Sequence, residues 1–389
     1  MADIKRKVPN LRFKGFTDDW EQHKLGEIIT YYNGKSHEEQ FRNAETQNFE
    51  LVTLKSIDEN GNLCSSEKYI DSTNNTLSKN DLIMVLSEQN KGLVGMTTLI
   101  PRDNYYVLNQ RVALLKLHKN NSPFFLTDAI NQHQIFFERM SAGTKVQNIS
   151  KSNVENFNLY IPNYSEQKEV GHIIALCQNI ITLQQRKLAL LKQLKKGLLQ
   201  KMFAEKNSKQ PVLRFKGFHD DWEQRKLGEV AEIKTGSRNH QDSVDNGKYP
   251  FFVRSEKVER LNEYDFDTKA ILVPGDGRIG EIFHYYDGKF ALHQRVYKVD
   301  NFKEVNPLYL LNLFKYKFKK HALRLNSQGT VPSLRLPMFT NWNILIPNLN
   351  EQQKIGLFFQ QFDSLIALNQ RKQNHLKLLK KSLLQQMFI

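Results

Sequence analysis

The chain has 389 residues, which is enough for two or three domains with their own hydrophobic cores. Its 56 Lys and Arg outnumber 41 Asp and Glu, and the resulting charge of +15 favours a polyanionic partner, although many basic proteins bind no nucleic acid. Two cysteines are too few for a disulfide scaffold. The polar N-terminal sequence argues against a secreted protein, and the lack of a long apolar run argues against a membrane protein. We therefore expect a soluble, cytoplasmic protein.

A motif near the start of the chain occurs a second time in the middle. LRFKGFTDDWEQHKLGE at Leu11–Glu27 returns almost unchanged as LRFKGFHDDWEQRKLGE at Leu213–Glu229. Over about residues 1–160, short apolar runs alternate with turn sequences, which indicates a first module of mixed strands and helices. The predicted strands are Phe49–Leu54, Leu82–Leu86 and Val112–Leu117, the predicted turn is Asn60-Gly61, and the predicted helix is Pro123–Met140.

A long helix follows the first module, over about residues 161–206. It begins at the motif IPNYSEQ, where Ser165 is the predicted N-cap and Glu166 lies in the first turn, in which the helix dipole favours a negative charge. Apolar residues then recur every three or four positions, which is typical of a coiled coil. They are Val170, Ile173, Cys177, Ile181, Leu188, Leu191, Leu198 and Met202. A helix of about 38 residues is about 55 Å long.

The second module, over about residues 207–345, follows the same plan and is shorter. Ala270–Val273 and Glu281–Tyr286 are predicted strands joined by a turn at Gly275–Gly280, and Asn306–Leu323 is a predicted helix that Asn306 caps. The flanking motifs of the two modules match closely, whereas their interiors barely align. This pattern fits one scaffold with two different recognition surfaces, and drift after a duplication is the alternative.

A second long helix, over about residues 346–389, begins at the motif IPNLNEQ, with Asn350 as the predicted N-cap and Glu351 in the first turn. Its apolar stripe consists of Ile355, Phe358, Phe362, Ile366, Leu376, Leu379, Leu383 and Met387. Gln184 and Asn369 interrupt the two stripes at the same place. A buried polar pair there would set an antiparallel register, whereas the alternative puts both residues at the solvent edge. The lysine-rich ends of both helices suit either a solvated surface or the docking of a partner or of DNA.

Two motifs that resemble catalytic or cofactor sites lack the context that such sites require. Gly275–Gly280 matches G-x-G-x-x-G, but a predicted strand follows it, and Arg295 stands where a dinucleotide site needs an acidic residue. Asn306–Tyr309 resembles a motif of adenine methyltransferases, but Leu308 replaces the second proline. No metal-ligand spacing and no nucleophile–base arrangement stands out, so we expect a non-catalytic chain that binds no cofactor or metal.

The paired LRFKGF-x-DDWEQ-x-KLGE and IPN-x-x-EQ motifs cover essentially the whole chain, and they resemble those of the specificity subunits of type I restriction–modification systems. The resemblance implies an α+β fold, in which an antiparallel coiled coil of two long helices separates two pseudo-symmetric α/β target-recognition domains. Each domain would recognise one half of an asymmetric, bipartite double-stranded DNA sequence. Asn163 and Asn348 replace a more usual proline, and we expect little consequence because asparagine also favours a turn.

The resemblance also implies partners that carry the chemistry. Two modification subunits would dock on the chain and methylate adenine with S-adenosylmethionine, and restriction subunits that use ATP and Mg²⁺ would join the larger complex. The specificity subunit itself would have no catalytic activity. The alternative from another functional class is a coiled-coil scaffold that binds protein partners, and it predicts weak DNA binding with little dependence on salt.

Candidate DNA contacts are polar and basic residues in corresponding segments of the two modules. Residues that match between the modules are expected to hold phosphates, and they are Gln110, Arg111 and Thr144 in the first and Gln294, Arg295 and Thr330 in the second. Unmatched residues are expected to contact bases, and they are Lys55, Ser56, Lys91 and Lys145 in the first module and Arg254, Ser255, Arg278 and Arg335 in the second. The alternatives are ordinary surface positions and, for Arg111 and Arg295, salt bridges of the scaffold. Trp20 and Trp222 are expected in the cores.

Overall fold

The computed structural model of the protein describes residues 7–42, 44–88, 92–205, 208–326 and 332–389. The chain divides into two compact units, Met1–Gln184 with Lys372–Ile389, and Gln185–Arg371. Each unit contains one module together with a part of each long helix. The four-segment division proposed from the sequence follows the repeat, and it stays a prediction.

The first unit consists of short strands and helices and parts of both long helices. Its strands are β1 (Glu21–Lys24), β2 (Ile29–Asn33), β3 (Phe49–Val52), β4 (Tyr69–Ile70), β5 (Leu82–Val85), β6 (Ser87–Glu88), β7 (Thr97–Leu99), β8 (Tyr106–Leu108), β9 (Val112–Leu117), β10 (Gln147–Asn148) and β11 (Asn158–Ile161). Its helices are α1 (Leu25–Ile28), α2 (Glu38–Arg42), α3 (Pro123–Asn131), α4 (Gln134–Met140), α5 (Lys151–Glu155) and the beginning of α6 (Tyr164–Met202).

A four-stranded sheet in the order β2-β9-β5-β7 forms the centre of the first module. Strand β5 is buried on both faces, and because its side chains alternate they enter two different cores. Leu82 and Met84 pack in the core that contains Phe125 of α3, whereas Ile83 packs on the other face with Val52 of β3. Strand β3 belongs to a second sheet, in the order β4-β3-β8, in which it runs parallel to β8.

The second unit contains the second module and the remaining parts of the long helices. Its strands are β12 (Glu223–Lys226), β13 (Glu232–Thr235), β14 (Tyr249–Phe252), β15 (Val258–Leu261), β16 (Phe266–Pro274), β17 (His284–Leu292), β18 (Val296–Asp300) and β19 (Asn343–Ile346). Its helices are α7 (Leu227–Val230), α8 (Pro307–Leu313), α9 (Lys319–Leu325), α10 (Leu336–Thr340) and the beginning of α11 (Leu349–Met387), with a π turn at Phe314–Phe318 and a 3-10 turn at His240–Asp242.

A six-stranded sheet in the order β13-β18-β16-β17-β14-β15 forms the centre of the second module. As in β5, successive side chains of strand β16 enter two different cores. Ile271 and Val273 pack with residues of α8, whereas Leu272 packs with Phe252 and Phe290. Strand β14 runs parallel to β17, as β3 does to β8 in the first module.

Both modules are closed by the same pair of antiparallel strands. Strand β1 pairs with β11, and Glu21 stands opposite Ile161; strand β12 pairs with β19, and Glu223 stands opposite Ile346. The tryptophan that precedes each pair, Trp20 or Trp222, is 2% exposed, which confirms the prediction that both lie in a core. The repeated motif therefore forms the same local structure twice.

The predicted N-caps of the long helices are wrong. Helix α6 begins at Tyr164, and the Oδ1 of Asn163 accepts a hydrogen bond from the N–H of Glu166 at 3.0 Å. Helix α11 begins at Leu349, and Asn348 caps it by the same bond to Glu351 at 3.0 Å. The sequence predicts little consequence when asparagine replaces the more usual proline before these helices. In the structure the two asparagines satisfy a free N–H group at each helix start, a role that proline could not take.

Glu166 and Glu351 lie in the first helical turns, as predicted, and each is joined to an arginine of the LRFKGF motif. The Nε and Nη2 of Arg12 donate to the two carboxylate oxygens of Glu166 at 2.6 and 2.7 Å. Arg214 donates to Glu351 in the same way, at 2.8 Å for both bonds. Both carboxylates are fully buried, so these bidentate pairs hold the motif to the start of a long helix in each unit.

The two long helices run antiparallel within each unit, which confirms the predicted pairing. In the first unit Val170 shares a core with Met387, and further along α6 the Oε1 of Gln178 accepts a hydrogen bond from the Nζ of Lys380 at 3.0 Å. In the second unit Lys195 forms an ion pair with Asp363, and just past the end of α6 the ring of Phe203 lies 6.1 Å from that of Phe359, between centroids. Contacts thus move backward along α11 as they move forward along α6.

The polar interruptions of the stripes differ in burial. Asn369 is buried, and its Nδ2 donates to the carbonyl of Leu365 at 2.8 Å, whereas Gln184 is half-buried. The solvent-edge alternative is therefore wrong for Asn369.

Several predicted elements change at their ends. Strand β9 matches its predicted range in full, but the strand predicted from Glu281 begins at His284. The two predicted helices each consist of two pieces, α3 and α4 in the first module and α8 and α9 in the second. Asn306 caps α8 as predicted, because its Oδ1 accepts hydrogen bonds from the N–H groups of Leu308 and Tyr309 at 3.0 and 3.1 Å.

Asp128 on α3 makes the stability of the first unit depend on pH. Its Oδ1 lies 4.0 Å from the Nζ of Lys380, and its side chain is 17% exposed. Burial raises the pKa of Asp128 from 3.8 to about 6, and the attraction to Lys380 offsets only part of this. The folded chain therefore binds the proton more tightly, so the stability falls as the pH rises from 3.8 to about 6 and then levels off.

We predict that Asp128→Asn stabilises the first unit by up to about 3 kcal/mol near neutral pH, because the amide cannot ionise, and changes little near pH 4. Unfolding in urea at both pH values measures this difference, in a chain that carries Trp222→Phe and Trp342→Phe so that Trp20 alone reports on the first unit. An equal effect at the two pH values would contradict the assignment to Asp128.

Candidate nucleic-acid interface

In the second unit, four connecting segments that are distant in sequence meet at one place. They are the segment after β14, the loop between β16 and β17, the turn between β17 and β18, and the segment before α10. Strands β16 and β17 pair antiparallel, with Leu272 opposite His284, so the glycine-rich segment between them is a hairpin connection, as predicted. Asp276 in this connection forms a β-bridge with Ser333, which brings the segment before α10 to the same place.

Asp276 orients two of the predicted DNA contacts. Its Oδ2 lies 3.3 Å from the Nη1 of Arg254 and 3.6 Å from the Nη1 of Arg295. Both arginine side chains are more than half exposed, whereas Asp276 is 16% exposed. One carboxylate therefore neutralises only part of the charge of two guanidinium groups, and these remain able to reach a phosphate or a base edge.

Arg278 lies in the same connection and is held by two carboxylates. Its Nη1 donates to Glu256 at 3.1 Å, and its Nε donates to Glu281 at 2.9 Å. The hydrogen bond to Glu281 is the main reason that the pKa of Arg278 is raised. Any contact of Arg278 with DNA would have to exchange these surface ion pairs, which are weak in water.

The backbone of Arg295 is fixed from two sides. Its N–H donates to the Nδ1 of His293 at 3.0 Å, and its carbonyl accepts from the N–H of Gly275 at 2.8 Å. His293 is buried, and this burial together with the charge of Arg254 lowers its pKa, which suits a neutral ring that accepts a hydrogen bond. Gln294 is exposed, and its Nε2 donates to Asn239 at 2.8 Å.

The first module contains the same backbone arrangement around Arg111. The N–H of Leu86 donates to the carbonyl of Arg111 at 2.9 Å, as Gly275 does to Arg295. The N–H of Ile149 donates to the carbonyl of Leu86 at 2.9 Å, and that of Leu334 donates to Gly275 at 2.6 Å. The sequence match of Gln110-Arg111 with Gln294-Arg295 therefore corresponds to equivalent positions in the two folds.

A glycine beside each of these turns is required by a close approach of two backbone segments. A Cβ atom at Gly34 would lie 1.9 Å from the carbonyl oxygen of Asn109, and one at Gly236 would lie 2.0 Å from that of Leu292. No larger residue fits at either position without movement of the strand.

The structure separates the remaining predicted residues by exposure. Exposed are Lys55, Gln110, Arg111, Thr144 and Lys145 of the first module and Ser255 and Arg335 of the second. Ser56 is buried, and its hydroxyl accepts from the N–H of Thr53 at 2.9 Å, so its observed contact belongs to a turn after β3. Lys91 and Thr330 lie outside the described residues. The DNA contacts of all these residues stay predictions.

Sequence reasoning missed the residues that position the cations. Asp276 and Asn239 contact Arg254, Arg295 and Gln294 from segments distant in sequence. A carboxylate next to glycine in a hairpin connection was the available signal, but its partners depend on how the sheet brings the loops together. Among the described residues, no group of three or more His, Cys, Asp and Glu is arranged to hold a metal ion. In the same part of the chain, none of the helices has the length and apolarity required for crossing a membrane.

Comparison with known proteins identifies relatives over nearly the whole chain. Residues 17–193 and 219–378 match the family described as "Type I restriction modification DNA specificity domain". The specificity subunit of the type I restriction enzyme MjaVIII from Methanocaldococcus jannaschii is 22% identical over 94% of this chain and 91% of its own. The specificity subunit of the type I restriction enzyme EcoDI from Escherichia coli is 31% identical over 38% of this chain and 32% of its own.

Solved structures show the same fold. The S subunit of a type I restriction–modification system from M. genitalium has a TM-score of 0.73 at 16% identity, over 98% of this chain and 99% of that chain. A structure that describes the assembly and conformational transition of the type I restriction–modification system has a TM-score of 0.53 at 17% identity, over 94% of this chain and 96% of that one.

Proposed function

The chain belongs to the type I restriction–modification specificity family and is a specificity subunit with two target-recognition domains, and from this premise we propose that each domain recognises one half of an asymmetric, bipartite double-stranded DNA sequence. The supporting observation is that both modules build the same hydrogen-bonded loops and place different side chains on them. Arg111 and Arg295 occupy equivalent turns, but among the described residues only Arg295 lies beside an aspartate that also contacts a second arginine. A common scaffold with unlike surfaces suits two different half-sites.

The long helices are the proposed docking surface for two modification subunits. In the first unit Ile180 and Leu183 of α6 are exposed, and in the second unit Leu365 and Leu368 of α11 are exposed at the corresponding positions of the repeat. Exposed apolar residues in a row on a helix favour binding of another protein. Two equivalent surfaces would bind two copies of one partner.

The chemistry of the complex belongs to the partners in this proposal. The modification subunits would methylate adenine with S-adenosylmethionine, and the restriction subunits would use ATP and Mg²⁺ to move along and cut DNA. The role of the present chain is then to choose the sequence and to hold the modification subunits near it. Its described residues supply cations and hydrogen-bond donors at the candidate interface, which suit binding of DNA.

The test is a methylome of cells that express the chain together with its modification subunits. We expect one adenine-methylated motif that consists of two short halves separated by unspecified bases, and its loss when the chain is omitted. The purified complex should also lose about 10³-fold or more in DNA affinity between about 50 and 200 mM salt. Methylation of no split motif, together with DNA binding that is insensitive to salt, would favour the protein-binding scaffold instead.

A further inference from the structure

The second module has a strongly basic helical segment that the first module lacks. Between Pro307 and Leu325 the cationic residues are Lys315, Lys317, Lys319, Lys320 and Arg324, and the segment contains no Asp or Glu. The corresponding helices α3 and α4 contain Asp128, Glu138 and Arg139. The positive charge is thus a property of the second module and not of the shared scaffold.

These cations are placed where they repel one another. Lys320 and Arg324 are four residues apart on α9, a spacing at which like charges destabilise a helix. Lys315 is compensated by Asp363, whose Oδ2 lies 3.2 Å from its Nζ. The side chains of Lys320 and Arg324 are exposed and have no ion-pair or hydrogen-bond partner among the described residues. An anionic ligand would relieve this repulsion.

The cations border an open groove of about 750 Å³, which we call the basic groove. It is lined by Gly280, Glu281, Phe283, Lys315, Tyr316, Lys319, Lys320, Leu323 and Arg324. Three of these residues, Phe283, Tyr316 and Leu323, give it an apolar surface beside the charged one. This combination suits a sugar–phosphate chain, in which apolar sugars alternate with phosphates.

The basic groove adjoins the candidate interface directly. Glu281 contacts both the Nζ of Lys319, at 2.5 Å, and the Nε of Arg278, at 2.9 Å. A Cβ atom at Gly280 would lie 2.7 Å from the Cα of Lys319, so the basic helix packs against the connection that carries Arg278. A strand of DNA bound by Arg254, Arg278 and Arg295 therefore has a second group of cations next to it, on the other side of Glu281.

We propose that the basic groove binds the DNA sugar–phosphate backbone next to the half-site that the second domain recognises. The inference rests on the proposed function and adds to it a backbone contact that only one of the two domains makes. Lys320 and Arg324 pair with phosphates, and the apolar residues contact the sugars. The contact adds affinity but no sequence preference, because phosphates are the same at every step.

The test compares the full chain with a Lys320→Gln/Arg324→Gln double variant, each purified with the modification subunits. Fluorescence anisotropy on a labelled duplex that contains the methylated motif is measured at several salt concentrations. Loss of two phosphate contacts should reduce the slope of log K against log salt by about 1.8 and weaken binding at least about tenfold at about 0.1 M salt. A duplex without the motif should lose as much, and the methylated sequence should stay the same.

Two control variants make the result specific. Lys234→Gln/Lys248→Gln removes the same charge from exposed positions of the same unit outside the groove, and it should leave the slope nearly unchanged. Lys320→Arg/Arg324→Lys keeps the charge and should keep the affinity. Thermal unfolding of the Gln double variant should match or exceed that of the parent, since a repulsive pair is removed.

Each outcome decides one claim. An unchanged slope for the Gln double variant, with methylation of the split motif intact, overturns the basic groove and leaves the proposed function in place. Loss of a modification subunit from the variant complex without a change in slope shows a protein-docking surface and also overturns the proposal. Absence of any split motif with the parent chain counts against the proposed function itself.

Discussion

Arg214→Met is expected to destabilise the second unit by about 3–5 kcal/mol, because it leaves a carboxylate buried without its counter-ion. The two hydrogen bonds that Arg214 donates to Glu351 are both 2.8 Å long. Glu351 is fully buried, and the side chain of Arg214 is 11% exposed. An exposed ion pair would contribute about 1 kcal/mol or less, so burial of the carboxylate decides the magnitude.

The measurement is urea unfolding followed by tryptophan fluorescence in a chain that carries Trp20→Phe. The remaining tryptophans, Trp222 and Trp342, are buried in the second unit and report on that unit alone. Arg214→Met/Glu351→Leu should recover much of the lost stability, because no uncompensated charge remains in the core. This double variant separates the cost of the lone carboxylate from the net contribution of the pair.

The repeat supplies a matched control for this prediction. Arg12→Met breaks the equivalent pair with Glu166 in the first unit, where the hydrogen bonds are 2.6 and 2.7 Å long. It should leave the unfolding transition reported by Trp222 and Trp342 nearly unchanged. In a chain that keeps Trp20 as its single tryptophan, it should shift the transition that Trp20 reports. A loss of less than about 1 kcal/mol for Arg214→Met would show that water screens the pair as at a surface.

The start or end of an element could be predicted from the sequence where it depends on a few neighbouring residues. Asn306 before Pro307 fixes the start of α8 by a side-chain cap, and this was predicted correctly. At the long helices two capping residues compete within three positions, Asn163 against Ser165. Asn163 caps α6, and Glu166 in the first turn pairs with Arg12, which is 154 residues away in the sequence. Contacts of this range are not encoded in a local pattern.

The candidate interface shows the same division between local and distant information. The sequence predicts DNA contacts at Arg295, as the match of Arg111, and at Arg254, as an unmatched polar residue in a segment that corresponds to one of the first module. It did not predict that Asp276 would lie between them, because that contact requires the pairing of β16 with β17 and β18. Ser56 is a predicted contact because it is an unmatched polar residue in a corresponding segment, but its burial depends on the turn that follows β3.

We expect a chain that carries residues 227–342 in both modules, in their own place and in place of residues 25–157, to recognise two copies of the half-site of the second domain. The exchange joins segments at the same hydrogen bond in both modules. The N–H of Leu25 donates to the carbonyl of Phe157 at 2.7 Å, and that of Leu227 donates to Trp342 at 2.9 Å. The strand pairs that close the two modules have the same register, so the graft enters an unchanged frame.

The contacts between module and helix also survive this exchange. The Oε1 of Gln167 accepts from the N–H of Ser122 at 2.9 Å, and the Oε1 of Gln352 accepts from that of Asn306 at 2.7 Å. After the graft, Gln167 would bind the N–H of the transplanted Asn306. Ring packing is preserved as well, because Trp20 contacts Phe125 where Trp222 contacts Tyr309, with ring centroids 5.5 and 5.9 Å apart.

Methylome sequencing of cells with the grafted chain and the modification subunits gives the outcome directly. We expect the half-site of the first domain to disappear from the methylated motif and that of the second domain to occur twice. The reciprocal graft, residues 25–157 in place of residues 227–342, should give the complementary motif. Since each domain would contribute its half independently, a graft that folds and yet changes both half-sites together would show that one composite surface recognises the DNA, and the model of two separate recognition domains would be wrong.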